Sequence, residues 1–251
     1  EYPALPSLRM MLCGSSYMPV EKLKQLHKWL PTTEIRTVFG MTETASPGTM
    51  FLMDMALIIF LFSCVRHVLG VGVRSFGSGR PVPGLELKIL DDDGHEVETG
   101  TVGTVYIRGA NVVEYYYKME SPLFTEDGWL DTGDMGYQNE DAFVFFVDRK
   151  KDMVNRGEEK IWSTDVEDEL IAFKGVKDAA VVGIPNEKYG EVAAAVVVLE
   201  KGAQLTEEQI KEEMLKEMAR FKVPERILFL DAIPKTPGLK TDKKYIRTLF
   251  Q

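Results

Sequence analysis

A hydroxyl-rich segment, Phe39-Gly40-Met41-Thr42-Glu43-Thr44, contains residue types that suit a nucleotide-phosphate site. Glycine lets the backbone approach a ligand closely, and threonine hydroxyls donate hydrogen bonds to phosphate oxygens. A carboxylate such as Glu43 can hold a magnesium ion that neutralises those phosphates. An ordinary polar turn after a strand also fits these residues, and the segment alone does not separate the two interpretations.

A second segment, Trp129-Leu130-Asp131-Thr132-Gly133-Asp134, places a carboxylate next to a Thr-Gly turn that we expect between β segments. The two oxygens of a carboxylate can accept both hydroxyl protons of a ribose diol. A hairpin capped by aspartate fits the hexapeptide equally well.

Two basic segments follow. The first is Asp148-Arg149-Lys150-Lys151-Asp152, with Gly157-Glu158-Glu159 shortly after it, and the second is Pro234-Lys235-Thr236-Pro237-Gly238-Leu239-Lys240. Cations near a phosphate under attack stabilise the charge that develops in the transition state. Taken singly, each segment is also typical of a solvated basic loop. The functional interpretation therefore depends on the order of the segments along the chain.

The elements that position these segments begin with a predicted strand–helix–strand unit. Residues Leu8 to Cys13 are mostly apolar and lead into Gly14-Ser15-Ser16, and Pro19 to Leu30 has apolar residues at helical spacing. A second apolar strand, Ile35 to Phe39, delivers the Thr-Glu-Thr segment to one edge of a sheet. Ligands commonly bind at such strand ends in α/β folds.

The remaining pattern predicts two further parts. Apolar and polar residues alternate at 85–90 and 103–108, and an apolar strand at 143–147 ends at Asp148. These features indicate a small antiparallel β unit. A small α+β domain is indicated by predicted helices at 164–173 and from Thr206 to about 221, and by predicted strands at 179–184, 193–199 and 227–230. The predicted fold class is therefore α/β at 1–150, followed by a small α+β domain at 151–251.

Composition narrows the functional classes. The chain of 251 residues is 45% hydrophobic and 27% charged, which is typical of a globular protein. Its net charge of −9 comes from interspersed acids and bases and argues against a nucleic-acid-binding surface. Cys13 and Cys64 form neither a metal-ligand spacing nor a disulfide framework, so we expect a cytoplasmic protein. The N-terminus carries no initiator Met and reads as a cut inside a longer protein.

An apolar run from Phe51 to Val65 is interrupted by Asp54 alone. It is shorter than the roughly 20 residues that a membrane-spanning helix needs, so we expect no transmembrane segment. We interpret it as a buried helix or strand, and a contact with a membrane surface or an acyl chain is the alternative.

Together the four segments resemble the motifs of the adenylate-forming superfamily, which includes acyl-CoA synthetases, luciferases and peptide-synthetase adenylation domains. FGMTE resembles its Tyr-Gly-x-Thr-Glu motif, and WLDTGD resembles its ribose motif. DRKKDMVNRGEEKI resembles its hinge motif, and PKTPGLKTDKKYIR resembles its terminal lysine motif. The four occur in the family's order, and the resemblance covers nearly the whole chain.

The resemblance implies a role for each matching residue. Thr42 contacts phosphate, Glu43 holds magnesium, and Lys240 is the catalytic lysine of adenylation. The implied nucleotide-binding residues are Gly14, Ser15, Ser16, Phe39, Gly40, Met41, Thr42, Asp134 and Arg149, with the last two on the ribose hydroxyls. Lys151 falls at the hinge, and Gly157 and Glu158 line the tunnel for the thiol arm of coenzyme A.

The implied reaction has two halves, which need ATP, Mg²⁺ and coenzyme A. A carboxylic acid attacks ATP to give acyl-AMP, and coenzyme A then takes the acyl group after the small domain rotates. Met41 and the apolar run favour a fatty or other hydrophobic acid. The alternatives are an adenylation domain that loads a carrier protein, and a nucleotide-binding protein of the same fold that has lost catalysis. The sequence leaves the oligomeric state open.

Three departures from the family pattern qualify this interpretation. The family's glycine-rich phosphate loop is missing from the sequence, which predicts that this chain is a C-terminal portion with little activity by itself. Glu158 stands in the hinge motif where the family has a glycine before the glutamate, and this larger side chain could narrow the thiol tunnel. The terminal motif reads Gly238-Leu239-Lys240, whereas the family more often has Thr-Gly-Lys at these positions. Residues 51–76 match no expected motif.

Overall fold

The structure, a computed structural model, describes residues 5–15, 17–45, 47–50, 79–118 and 123–251. The chain divides into two compact units, residues 1–147 and 148–251. This division lies close to the domain boundary predicted after residue 150, which itself stays a prediction. The apolar run at 51–65, and with it the predicted buried element, lies outside the described residues.

The first unit opens with the predicted strand–helix–strand arrangement. Strands β1 (Met10–Cys13) and β2 (Glu34–Gly40) are parallel, and helix α1 (Val20–Trp29) connects them. Strands β3 (Pro47–Met50) and β4 (Arg80–Pro81), which were not predicted, complete the sheet in the order β1-β2-β3-β4. Since β1 and β2 are parallel, their carboxyl ends lie at the same edge of the sheet.

The second sheet of this unit has the order of the chain, β5 (Leu85–Leu90), β6 (Gly103–Gly109), β7 (Leu130–Gln138) and β8 (Val144–Arg149). The predicted antiparallel pairing of β5 with β6 is confirmed. The predicted end of β8 at Val147 is wrong, because the strand continues through Asp148 and Arg149. The strand accommodates the polar Asp148, because the carboxylate of this residue accepts a hydrogen bond from the Arg149 N–H at 2.7 Å.

The second unit contains one five-stranded sheet and three α-helices in the described part of the chain. The strands are β9 (Val154–Arg156), β10 (Glu159–Ile161), β11 (Val176–Asn186), β12 (Gly190–Leu199) and β13 (Arg226–Phe229). The helices are α2 (Ser163–Ala172), α3 (Glu207–Glu217) and α4 (Lys243–Thr248). The sheet order is β10-β9-β12-β11, and β13 also pairs with β12.

Strands β11 and β12 are buried on both faces. One face packs against α2 and α3 through Leu170 and Met214, and the other packs against Ile246 and Phe250 near the C-terminus. A strand covered on both sides needs apolar residues at consecutive positions, which explains the near-continuous run from Ala193 to Leu199. The core of this unit is therefore a sheet between two layers.

Two helix predictions differ from the structure. The capping box of Thr206 and Gln209 is confirmed, but α3 ends at Glu217 rather than near residue 221, because Met218 adopts an extended conformation. Helix α4 was not predicted, since its six residues are too few for a periodic pattern. Among the described residues, no helix combines the length and the apolar character needed to span a bilayer.

Candidate functional site

Gly14 directly follows β1 and lies close to Val38 of β2. A Cβ atom at this position would lie 2.8 Å from Val38 Cγ2 and 3.0 Å from the Val38 carbonyl oxygen, so only glycine fits. Ser15 follows with a positive φ of 69°, and Ser16 lies outside the described residues. The carboxyl edge of the sheet thus brings Gly14 and Ser15 to the end of β2, where Phe39 and Gly40 are located.

The segment after β2 forms a 3₁₀ turn at Thr42–Thr44. Thr44 is fully buried, and its Oγ1 accepts a hydrogen bond from the Met41 N–H (3.1 Å) and donates one to the Met41 carbonyl (2.9 Å). Met41 packs against the apolar core of the β5–β8 sheet. Thr44 therefore fixes the turn, while Thr42 is exposed and Glu43 is half-buried.

A segment that follows β6 holds this turn from one side. The Val113 N–H donates to the Glu43 carbonyl at 2.8 Å, and Asn111 Nδ2 donates to the Thr44 carbonyl at 3.3 Å. The Tyr116 hydroxyl donates to Glu43 Oε1, and this hydrogen bond raises the pKa of Tyr116 above its usual value. Sequence reasoning missed these residues, because no local pattern links residues more than 60 positions apart.

The turn suits a magnesium ion that is shared with phosphates. Mg²⁺ usually takes one or two protein carboxylates together with phosphate and water oxygens. The Tyr116 hydroxyl donates to one oxygen of Glu43, Oε1, and the second carboxylate oxygen, Oε2, is the candidate metal ligand. The exposed Thr42 hydroxyl lies next to it in the sequence. These hard oxygen donors therefore fit the predicted metal.

The predicted ribose motif is a bulge inside β7, which corrects the prediction of a turn between separate β segments. Thr104 of β6 pairs with Met135 of β7, and Tyr106 of β6 pairs with Asp131 of β7. The three residues 132–134 of β7 therefore lie opposite the single residue Val105 of β6. Two residues of β7 are thus extra, and the segment 132–134 leaves the regular ladder, as in other β-bulges.

Thr132 holds the bulge and thereby the backbone of Asp134. Its buried Oγ1 donates to the Val105 carbonyl at 2.8 Å and accepts from the Asp134 N–H at 3.1 Å. Gly133 between them has a φ of 69°, which a residue without a Cβ adopts easily. Asp134 is therefore presented from a fixed position in the sheet of the first unit.

The predicted hinge residue Lys151 lies in a turn whose backbone is bonded to helix α4. The N–H groups of Asp152 and Met153 donate to the Arg149 carbonyl at 2.9 and 3.1 Å. The Arg247 guanidinium of α4 donates to the Lys151 carbonyl at 3.3 Å and to Asp152 Oδ1 at 3.4 Å. The side chains of Arg149 and Lys151 are exposed.

Gly157 and Glu158 form the two-residue turn of the β9–β10 hairpin, in which Arg156 pairs with Glu159. Gly157 has a φ of 63°, the sign that a type II′ turn requires at its first central position. Its N–H donates to the Tyr189 carbonyl at 2.7 Å, and Glu158 is exposed.

The predicted catalytic lysine, Lys240, is exposed on a closed loop of the second unit. The Thr236 N–H donates to the Lys240 carbonyl at 2.8 Å, and Lys235 Nζ donates to Thr241 Oγ1 at 3.1 Å. Leu239, directly before Lys240, has a left-handed φ of 62° and is 81% exposed. The backbone of this loop thus suits glycine at the position that leucine occupies.

We expect Leu239→Gly to stabilise the second unit by about 0.5–1 kcal/mol. A non-glycine residue in the left-handed region is strained by roughly 1–2 kcal/mol, and the greater freedom of glycine in the unfolded chain offsets part of the gain. Urea unfolding of the 251-residue chain measures the change, with Leu239→Ala as control because it keeps the Cβ. Equal stability of the two variants would contradict the strain.

A buried charged cluster connects the predicted hinge segment to α4. Lys243 Nζ of α4 contacts Ser163 Oγ at 2.6 Å and Glu167 Oε1 at 2.9 Å, and its side chain is 14% exposed. Asp148 Oδ2 accepts from the Ser163 N–H at 2.5 Å. Burial raises the pKa of Asp148 to about 6, against the opposing effect of the Lys243 cation. Burial opposes the charge of Lys243, but Glu167 and Asp148 outweigh it and raise the pKa of the lysine.

We expect the Asp148 carboxyl to titrate near pH 6 in the folded chain. Its pKa is higher in the folded state than the ordinary 3.8, so its contribution to stability is complete below pH 4 and disappears as the pH rises through 6. A shift of this size corresponds to about 3 kcal/mol. Carbon-13 NMR of the Asp148 carboxyl measures the midpoint, and a value near 4 would contradict the burial argument. Lys243→Met should raise the midpoint further.

Two family models match the chain. The model described as AMP-binding enzyme matches residues 1–117, and the model described as AMP-binding enzyme C-terminal domain matches residues 165–240. These ranges contain Gly14, the Thr42–Thr44 turn and Lys240. The resemblance that the motifs indicated is therefore confirmed.

Curated relatives and solved structures agree with the family models. Indoleacetate–CoA ligase of Aromatoleum aromaticum is 32% identical over 98% of this chain, and 2-succinylbenzoate–CoA ligase of Enterococcus faecalis is 32% identical over 96%. The chain spans about half the length of these relatives, 45% and 46%. The ATP-bound crystal structure of MatB from Rhodopseudomonas palustris superposes with a TM-score of 0.81 at 28% identity, over 95% of this chain and 45% of MatB.

Proposed function

We propose that this chain, which belongs to the family of AMP-binding enzymes, is part of an acid–thiol ligase that activates a carboxylic acid with ATP and transfers it to coenzyme A. The observation that carries the proposal is the Thr42–Thr44 turn. Its buried Thr44 fixes the backbone, so that Thr42 and Glu43 are presented beside Gly14 at the carboxyl edge of a sheet. The CoA ligases among the relatives support the reaction type.

In the proposed first half-reaction, a carboxylate oxygen of the acid attacks the α-phosphorus of ATP, and pyrophosphate leaves. The Thr42 hydroxyl donates to a phosphate oxygen, and Glu43 holds magnesium, which neutralises phosphate charge when bound. The Lys240 ammonium stabilises the charge that develops during the attack. The adenosine part is bound by the remaining predicted residues, Gly14, Ser15, Ser16, Phe39, Gly40, Met41, Asp134 and Arg149.

In the proposed second half-reaction, the thiol of coenzyme A attacks the acyl carbonyl carbon, and AMP leaves. The Gly157-Glu158 turn lines the path of the thiol arm. Rotation of the small domain about Lys151 moves the Lys240 loop away from the reacting acyl group and brings this turn to it. The exposure of Lys151 supports the hinge role, because an exposed side chain can follow a change of its backbone angles without losing core contacts.

The acid is proposed to be hydrophobic, with fatty acids as one possibility. The apolar run at 51–65 supports this choice, while the named acids of the relatives, indoleacetate and 2-succinylbenzoate, differ in size and charge. A carrier-protein thiol is the alternative acceptor, because one relative that is 34% identical is named as a fatty acid–[acyl-carrier-protein] ligase. A cytoplasmic location stays part of the proposal.

Acid-dependent exchange of labelled pyrophosphate into ATP tests the proposal in the full-length protein. A panel of fatty and aryl acids should contain at least one that gives exchange, whereas the 251-residue chain alone should give little. AMP binding without exchange for every acid would favour the nucleotide-binding protein that has lost catalysis. Robust turnover by the 251-residue chain would overturn the prediction that it is an incomplete catalyst.

A further inference from the structure

Three hydrogen bonds join the segment at Asn111–Tyr116 to the Thr42–Thr44 turn. Two of them, from the Val113 N–H and from Asn111 Nδ2, reach backbone carbonyls and hold the turn itself. The third, from the Tyr116 hydroxyl, reaches the side chain of Glu43. The backbone of the turn and the direction of its carboxylate are therefore controlled by different groups.

The direction of the carboxylate matters because a glutamate has several rotatable bonds. A half-buried glutamate without a partner samples several rotamers, and each fixed rotamer costs conformational entropy when a ligand binds. A hydrogen bond from a neutral hydroxyl to a charged oxygen is stronger than a bond between neutral groups. Tyr116 can therefore hold Glu43 in one orientation before the ligand arrives.

The Tyr116 ring is itself held in place. It packs edge-on against Phe124, with the ring centroids 5.8 Å apart, and is partly buried. Its two neighbours differ: Tyr115 is 71% exposed and Tyr117 is 79% exposed. Of three consecutive tyrosines, the middle one is thus the one bonded to the predicted metal ligand.

We propose that Tyr116 is a positioning residue for nucleotide binding, which occupies Glu43 Oε1 and directs Oε2 toward the magnesium ion on the ATP phosphates. This inference rests on the proposed function, since it assigns the means by which the metal-holding carboxylate is oriented. Tyr116 acts through Glu43 and contacts no substrate.

The test compares Tyr116→Phe with the wild type in the full-length protein, using Mg²⁺–ATP and metal-free AMP as probes. Removing the hydroxyl should weaken Mg²⁺–ATP binding on the order of tenfold, in proportion to a hydrogen bond to a charged group, and should raise the Mg²⁺ concentration for half-maximal binding. AMP binding should not change, because AMP needs no metal. Isothermal titration calorimetry measures both affinities without catalysis.

Two further variants separate positioning from a general structural role. Tyr115→Phe removes a hydroxyl from the exposed neighbour and should leave both affinities unchanged. In a Glu43→Gln background, Tyr116→Phe should have little further effect, because the group through which it acts is already altered.

The inference is overturned if Tyr116→Phe binds Mg²⁺–ATP like the wild type, if AMP binding falls equally, or if the loss persists undiminished in the Glu43→Gln background. In these cases wild-type Mg²⁺–ATP binding remains, and the proposed function stands. A wild-type protein that binds no Mg²⁺–ATP overturns the proposed function and this inference together.

Discussion

Lys240→Ala is expected to slow the adenylation half-reaction by two to three orders of magnitude in the full-length protein. The alanine removes a cation proposed to face the α-phosphate, and loss of one such stabilising group typically lowers kcat by about 10²–10³. The lysine is exposed, and the loop around it is closed by backbone bonds that do not involve its side chain. Alanine should therefore leave the fold intact.

The two half-reactions respond differently to this substitution. Transfer of the acyl group from chemically prepared acyl-adenylate to coenzyme A should stay near the wild-type rate, since no phosphate is attacked in that step. Single-turnover measurements of each half-reaction give the comparison, with Lys244→Ala as a control for an exposed lysine in the helix that follows. Equal losses in both half-reactions would contradict the assignment of Lys240 to adenylation.

Lys243→Met is expected to destabilise the second unit by about 3–5 kcal/mol. Methionine has a similar length but no charge, so Glu167 and Asp148 would remain in the interior without their cation. Breaking a buried ion pair by removing one partner has this order of cost. The short contacts of Lys243 Nζ with Ser163 and Glu167 make compensation by water difficult.

Hydrogen exchange in β11 and β12 measures this loss, because these strands form the core of the unit. Amides that exchange through global opening should exchange on the order of a hundredfold faster in Lys243→Met, which corresponds to about 3 kcal/mol. Lys244→Met is the matched control, since Lys244 is exposed on the same helix. Unchanged exchange in Lys243→Met would show that the buried ion pair contributes little net stability.

Much of the fold follows from local sequence patterns. The apolar strands around Ile35 and Val181, the amphipathic helix α1 and the capping box at Thr206 all lie where residue periodicity and capping chemistry placed them. The short elements α4, β9 and β10 were not predicted, because three to six residues are too few to show a periodic pattern of apolar residues. Their conformation depends on contacts with the central sheet instead.

The assignment of the site residues stays a prediction from the motifs, and the geometry around them could not be predicted from the sequence. The motifs identified Glu43, Asp134 and Lys240, yet a motif does not specify how each is held. The bulge that carries Asp134 depends on Thr132 bonding across to β6, and the orientation of Glu43 depends on Tyr116, 73 positions away. Such distant pairs arise from tertiary packing, which periodicity does not encode.

Mass spectrometry of the reaction products tests the proposed ligase reaction itself. The full-length protein is incubated with ATP, Mg²⁺, coenzyme A and the acid that gives the strongest pyrophosphate exchange. We expect acyl-CoA and AMP to form in equal amounts and only when the acid is present. Formation of ADP in place of AMP, or the absence of any acid-dependent product across the panel, would contradict it.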